Sequence, residues 1–230
     1  MPTPADAILS TLRALVAVPS VYPPGNTEAV CAAIHGMLAS WGYETRTVGR
    51  APGIANVVAR LGSGSPVLAF NCHIDTVGPG DEAAWDTPPY ELTVKNGRAY
   101  GLGANNCKGP AASQLWVAEQ IAPLLTREGG SEKGTVVFTF CGDEEALGLD
   151  GTAYLREAGI IKPDMLVVGA KTENGLLTRE RGVTWKELRT KGAGAHAGAP
   201  HEGDNAVTHM GRPLAPLEEV GVSANAPRTR

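Results

Sequence analysis

No stretch of the 230 residues is apolar over a membrane-spanning length, and none is strongly basic. The first absence removes a helical membrane span. The second, with a net charge of −4 and a pI near 5.8, removes nucleic acid and anionic membrane surfaces as expected partners. Cysteine is scarce: Cys31, Cys72, Cys107 and Cys141 form no CxxC pair and no disulfide scaffold. The N-terminus, Met1-Pro2-Thr3-Pro4-Ala5-Asp6, has neither the basic start nor the apolar core of a signal peptide, so the expected location is cytoplasmic. Internal repeats and low-complexity tracts are lacking too. With 43% hydrophobic and 19% charged residues, what remains is an ordinary folding chain.

Its pattern is that of an α/β protein. Ile8, Leu12, Leu15 and Val16 fall on one helical face after a capping Asp6. Val30, Ile34, Met37, Leu38 and Trp41 do the same after Asn26 or Thr27, with Gly42 as the stop. Strands are expected at Tyr43–Val48, Ile54–Leu61, Pro66–Phe70, Thr135–Cys141 and Met165–Gly169, the last two read as buried. Asn96-Gly97 marks a hairpin and a helix follows from Pro110 to Leu125. Strands interleaved with helices predict a mostly parallel sheet flanked by helices. The character changes near Leu176: an alternating stretch, Val183–Lys191, reads as a half-wet strand, and a helix is expected from Asn205 to about Glu219. The expected organisation is an α/β catalytic domain over 1–175 and a partial second domain over 176–230, which is small to hold a core by itself.

Chemistry concentrates at strand ends. In Phe70-Asn71-Cys72-His73-Ile74-Asp75, an apolar strand delivers His73 and Asp75, which face the same way at i and i+2. An imidazole oriented by a carboxylate is the pairing of a metal-ligating histidine, and also that of an ordinary satisfied one. Gly142-Asp143-Glu144-Glu145 sets like charges side by side at the end of a buried strand, where ligand sites of open α/β sheets lie. One Glu can bind a cation while its neighbour takes a proton from water; a solvated acidic turn is the plainer alternative. The Gly101–Gly109 loop matches neither phosphate-binding nor dinucleotide glycine spacing and reads as a tight turn bringing Asn106 beside His73. His196 stands in a Gly/Ala-rich loop unsuited to core packing. Cys107 is a remote alternative ligand; the other cysteines read as packing.

Taken in order, His73-x-Asp75-Thr76-Val77, Asp81 and Trp85, Asn96-Gly97-Arg98-x-Tyr100-Gly101-x-Gly103, Lys108-Gly109, Asp143-Glu144-Glu145, Gly182-Val183 and Gly194-Ala195-His196-Ala197-x-x-Pro200-x-x-Gly203-x-Asn205-Ala206 form a recognisable series. The series resembles the two-metal amidohydrolases that include acetylornithine deacetylase, succinyl-diaminopimelate desuccinylase, aminoacylase and glutamate carboxypeptidases. The resemblance implies a zinc-exopeptidase-like catalytic domain with the start of a small α/β dimerisation lid. It implies Zn2+ (or Co2+ or Mn2+), an N-acyl amino acid or dipeptide-like substrate, and a homodimer formed through the lid. His73 and Glu145 would be metal ligands, Asp75 would hold His73, and Glu144 would be the general base. His196, delivered from a partner subunit, would hold the oxyanion, and Asn205 would contact substrate.

Three departures qualify that inheritance. The family's bridging Asp falls at Asn106, a neutral amide. Its next acidic ligand aligns with Ala170, leaving Glu173 as a displaced substitute. Its last His ligand lies in a C-terminal return without counterpart before Arg230, which should leave sheet and lid surface uncovered. The expectation is therefore a metal-dependent amidohydrolase with an altered site, holding one ion, through His73, Glu145 and Glu173, or none. The alternatives are a non-catalytic binding or dimerisation relative, or a fragment of a longer product.

Overall fold

In the computed structural model, residues 3–126, 134–172, 175–179 and 187–219 are described. The chain divides into two compact units, Met1–Lys171 and Thr172–Arg230. Glu173 lies outside the described residues, as does the 183–186 part of the expected late strand; the rest of that stretch, 187–191, forms no strand.

The first unit begins with α1 (Pro4–Val16). Its N-cap is Thr3, not Asp6. The Thr3 hydroxyl accepts from the Asp6 amide at 3.2 Å, while the Asp6 carboxylate receives the Thr3 amide at 3.0 Å. Asp6 is thus the third helical position of a reciprocal capping box. Thr3→Ala should cost about 1 kcal/mol in urea-unfolding measurements. The second helix, α2 (Glu28–Ser40), ends at Gly42 in the left-handed region at φ 87°, where a β-carbon would be strained.

Next come β1 (Glu44–Val48), β2 (Asn56–Ser63) and β3 (Val67–His73), then the hairpin β4 (Thr93–Lys95) and β5 (Arg98–Tyr100). Asn96 and Gly97 both have positive φ, as an Asn-Gly hairpin turn requires. Then follow α3 (Lys108–Leu125), β6 (Gly134–Cys141), α4 (Tyr154–Glu157) and β7 (Met165–Val168).

The five-stranded sheet has the order β1-β2-β6-β3-β7. The α/β class is as read, but the sheet is mixed. β3 runs parallel to both β6 and β7, whereas β1–β2 and β2–β6 are antiparallel. The reason is connection length. The seven residues between β1 and β2 are too few for a parallel crossover, which takes a dozen or more. The main core lies on the face covered by α1, α2 and α3 and includes Leu15, Ile34, Leu38, Cys72, Leu115, Phe138 and Phe140. A smaller core on the other face joins Val58, Ala69, Val137 and Cys141 to Leu155 of α4. Helices thus cover both faces, and β6 is buried along nearly its whole length.

β7 corrects the expectation of a buried strand. Met165, Leu166, Val167 and Val168 are 45–58% exposed. The strand pairs with β3 alone among the described residues, so its outer edge is open. An apolar run reads the same whether covered or not, because the cover comes from elsewhere in the fold.

Among its described residues the second unit holds a short 3-10 turn at Pro200–Glu202, an isolated antiparallel bridge between Ala193 and Asp204, and α5 (Ala206–Glu219). Among the described residues no helix is long and apolar enough to cross a membrane.

Candidate metal centre

β3 and β6 are parallel neighbours in register, His73 opposite Cys141, so both chains leave the sheet at the same end. This is the end of an α/β sheet where a ligand can reach several strand-end turns at once. From β3 come His73 and Asp75. Their Nδ1 and Oδ1 atoms are 3.4 Å apart, and on the other side of the ring Nε2 lies 3.8 Å from Glu144 Oε2. From β6 comes the turn carrying Glu144 and Glu145. His73, Glu144 and Glu145 offer one donor atom each within 4.8 Å of one another.

Asp75 does two things. It is 1% exposed, and while one oxygen faces His73, the other accepts the backbone N–H of Glu145 at 2.9 Å. A buried carboxylate thereby couples the imidazole to the acidic turn. A third tie comes from the loop before α3: the Cys107 thiol donates to the Asp75 carbonyl at 3.3 Å. Asn106, next to it, is exposed at the same turn, and Ala170 is exposed just beyond β7. Cys107 itself is fully buried, and burial drives its thiol pKa far up, so it stays protonated and packs rather than ligates. Cys72 belongs to the α1–α3 face of the sheet, opposite to His73.

The electrostatics follow from this enclosure. Burial of the His73 ring works against its charged form, but the Asp75 hydrogen bond and the charges of Glu144 and Asp75 outweigh it and raise the pKa to about 9. Burial, and then the charge of Glu144, push the Glu145 carboxyl up; burial does the same to Asp143. Asp75 and Glu144 thus favour the charged form of His73 at the mouth of the acidic turn. One imidazole and two carboxylates form a donor set of the kind that catalytic zinc sites use, with open positions left over.

The acidic turn is held in an unusual shape. Asp143 is in the left-handed region at φ 73°. Its carboxylate accepts the Asp150 N–H at 2.7 Å, and its carbonyl receives Ala146 and Gly148. Gly142 has no room for a side chain: a β-carbon there would lie 2.7 Å from Thr27 Oγ1. The residue that sequence reasoning missed is Asn56. Fully buried at the start of β2, it accepts the Gly142 N–H at 3.1 Å and donates to the Asp150 carbonyl at 3.0 Å and the Val48 carbonyl at 3.3 Å. Arg50 braces the same loop from outside through Asp150 at 2.6 Å and the Leu149 carbonyl. The signal was an amide in the otherwise apolar run Ile54-Ala55-Asn56-Val57-Val58. Asn56→Ala orphans the Gly142 donor and the Asp150 acceptor. It should cost roughly 2–4 kcal/mol of stability in urea titration and weaken divalent-cation binding about tenfold by calorimetry.

The remaining expected residues lie in the second unit. His196 is exposed, with Nδ1 accepting the Gly198 N–H at 3.1 Å. Asn205 Oδ1 accepts the Val207 and Thr208 amides at 2.9 and 3.2 Å, capping α5.

The chain is similar to several known proteins. The chain is 31% identical over 225 residues to succinyl-diaminopimelate desuccinylase from Bordetella avium strain 197N, covering 94% of this chain and 57% of the relative. The chain thus spans little more than half the length of such curated relatives. Its fold matches a Staphylococcus aureus tripeptidase (TM-score 0.60, 20% identity, 94% of this chain and 57% of that one). It also matches human carnosine dipeptidase 1 (TM-score 0.58, 25% identity, 71% and 38%). The family model for peptidase family M20/M25/M40 matches residues 69–214, from the strand that carries His73 to the helix after Asn205. With the family model matching well over half of its length, the chain belongs to peptidase family M20/M25/M40.

Proposed function

We propose that this chain is the metal-holding part of a hydrolase that cleaves the amide bond of an N-acyl amino acid or a small peptide. The observation that carries the reading is the convergence of His73, Glu144 and Glu145 within 4.8 Å at the shared end of β3 and β6. His73 through Nε2 and Glu145 through its carboxylate would hold a divalent ion, Zn2+ or else Co2+ or Mn2+, and so small a ligand set suits one ion with open positions beside it. When bound, such an ion polarises a substrate carbonyl and promotes attack by water.

The chain's own groups do the rest. Asp75 fixes the His73 ring so that Nε2 faces the donors, and through the Glu145 N–H it fixes the acidic turn at the same time. Glu144, with 58% of its side chain accessible, would take a proton from water. His196 would serve the oxyanion from a partner subunit of a lid-mediated homodimer. Because Asn205 spends its oxygen on α5, its NH2 would meet a substrate carboxylate. A cytoplasmic location fits this reading.

A second reading is favoured by one residue. Asn106 is a neutral amide at the turn tied to Asp75, and it suits a relative that binds ligand or partner without turnover. The separating experiment is to load the dialysed chain with zinc, cobalt or manganese and assay N-succinyl and N-acetyl amino acids and dipeptides. Stoichiometric metal with hydrolysis that Glu144→Gln abolishes is expected. Absence of both retained metal and hydrolysis would establish the non-catalytic reading.

A further inference from the structure

We infer that the groove between Trp85 and Tyr100 is a subsite for a primary ammonium or guanidinium group on the substrate. Its use in turnover rests on the hydrolase reading above; its binding does not. The groove has a volume of about 500 Å³, and the residues lining it include Trp85, Tyr100, Asp81, Asp86, Thr87 and Asn105. Among the described residues, no lysine, arginine or histidine contributes to the lining. Aromatic faces and carboxylates share one preference: both attract a cation, the rings through their quadrupole and the acids through charge. An anionic group is repelled by the acids and gains nothing from the ring faces, and a neutral group gains less from the acids than a cation does.

The walls are built to keep their shape. The Trp85 indole N–H donates to the Pro79 carbonyl at 2.8 Å, which fixes the ring plane. Asp81 accepts the Ala83 N–H at 3.0 Å, which fixes that carboxylate and leaves its second oxygen for a ligand. Tyr100, at the end of β5, is 42% exposed.

Its position links the groove to the metal centre. Pro79, on the lining, is four residues beyond Asp75, so the two lie no more than about 14 Å apart. Asn105, also on the lining, is two residues before Cys107, whose thiol is bonded to the Asp75 carbonyl. An extended small substrate with an amine-bearing arm can span that distance.

The test uses the full 230-residue chain, metal-free, labelled with 5-fluorotryptophan, the Trp85 resonance being assigned by its loss in Trp85→Phe. Two probes differ only in their terminal ammonium: Nα-acetyl-lysine methylamide and Nα-acetyl-norleucine methylamide. The lysine probe should shift the Trp85 resonance saturably and bind at least tenfold more tightly than the norleucine probe. Asp81→Asn/Asp86→Asn should erase that preference. Equal binding of the two probes, no shift with either, or a preference untouched by the double substitution overturns the proposal. Zinc binding at His73, measured on the same double variant, should be unchanged. Failure of the groove with intact metal binding therefore stays separate from failure of the metal centre.

Discussion

His73→Ala is expected to lower zinc affinity by more than a hundredfold while the protein stays folded, and Glu145→Ala should do the same. Loss of an outer partner such as Asp75 typically costs about 10–100-fold, and loss of a donor atom itself costs more. The imidazole is largely enclosed at the strand end but belongs to neither core, so its removal leaves the packing of Phe138, Phe140 and Leu155 in place. Calorimetry with zinc should give one ion per wild-type chain and none for His73→Ala, with matching far-UV spectra. Asn106→Asp adds a carboxylate at the turn tied to Asp75 and should tighten binding; unchanged affinity would mean that this turn does not face the ion. Wild-type chain that retains no ion, or His73→Ala that retains one, would refute the centre.

The second expectation concerns pH. A metal takes the neutral imidazole, and the metal-free ring of His73 has its pKa raised to about 9. Zinc binding at pH 7.5 should therefore release about one proton, where a histidine of ordinary pKa near 6.5 would release about 0.1. Calorimetry in two buffers of different ionisation heat reads this number directly. Affinity should climb about tenfold per pH unit and level off near pH 9. With Asp75→Asn the plateau should move down toward pH 6.5.

The same shift has a stability side with a definite sign. The folded pKa lies above the unfolded one, so the charged ring stabilises the metal-free fold fully below about pH 6.5. That contribution, on the order of 3 kcal/mol, is lost as pH rises toward 9. The apo Tm should fall by several degrees across that window, and added zinc should restore it.

How much of this was open to reading from residues depends on range. His73 and Asp75 meet because strand alternation is a local rule, and Glu144-Glu145 announced itself as an uneconomical pair at a strand end. The Asn96-Gly97 turn was equally local. What resisted was long-range. Whether Met165–Val168 is covered depends on chain that packs from elsewhere. Asn56 acquires its role only when residues 142 and 150, some ninety positions away, fold over it. The direction of β2 followed from counting its seven-residue link, a signal present in the sequence but outweighed by the alternation of strands and helices. Likewise Thr3 and Asp6 form a reciprocal pair, and only the backbone decides which of them stands outside the helix.

The open side of β7 has a use beyond its exposure. Its amide protons face either β3 or water, whereas those of β6 are locked between two strands. Hydrogen exchange should therefore be graded across the sheet, slow at Val137–Phe140 and fast on the outer side of 165–168. Any polypeptide that docks there as a further strand would slow exchange at those four residues before it altered anything else. The edge is in effect a built-in reporter of assembly, legible without a label.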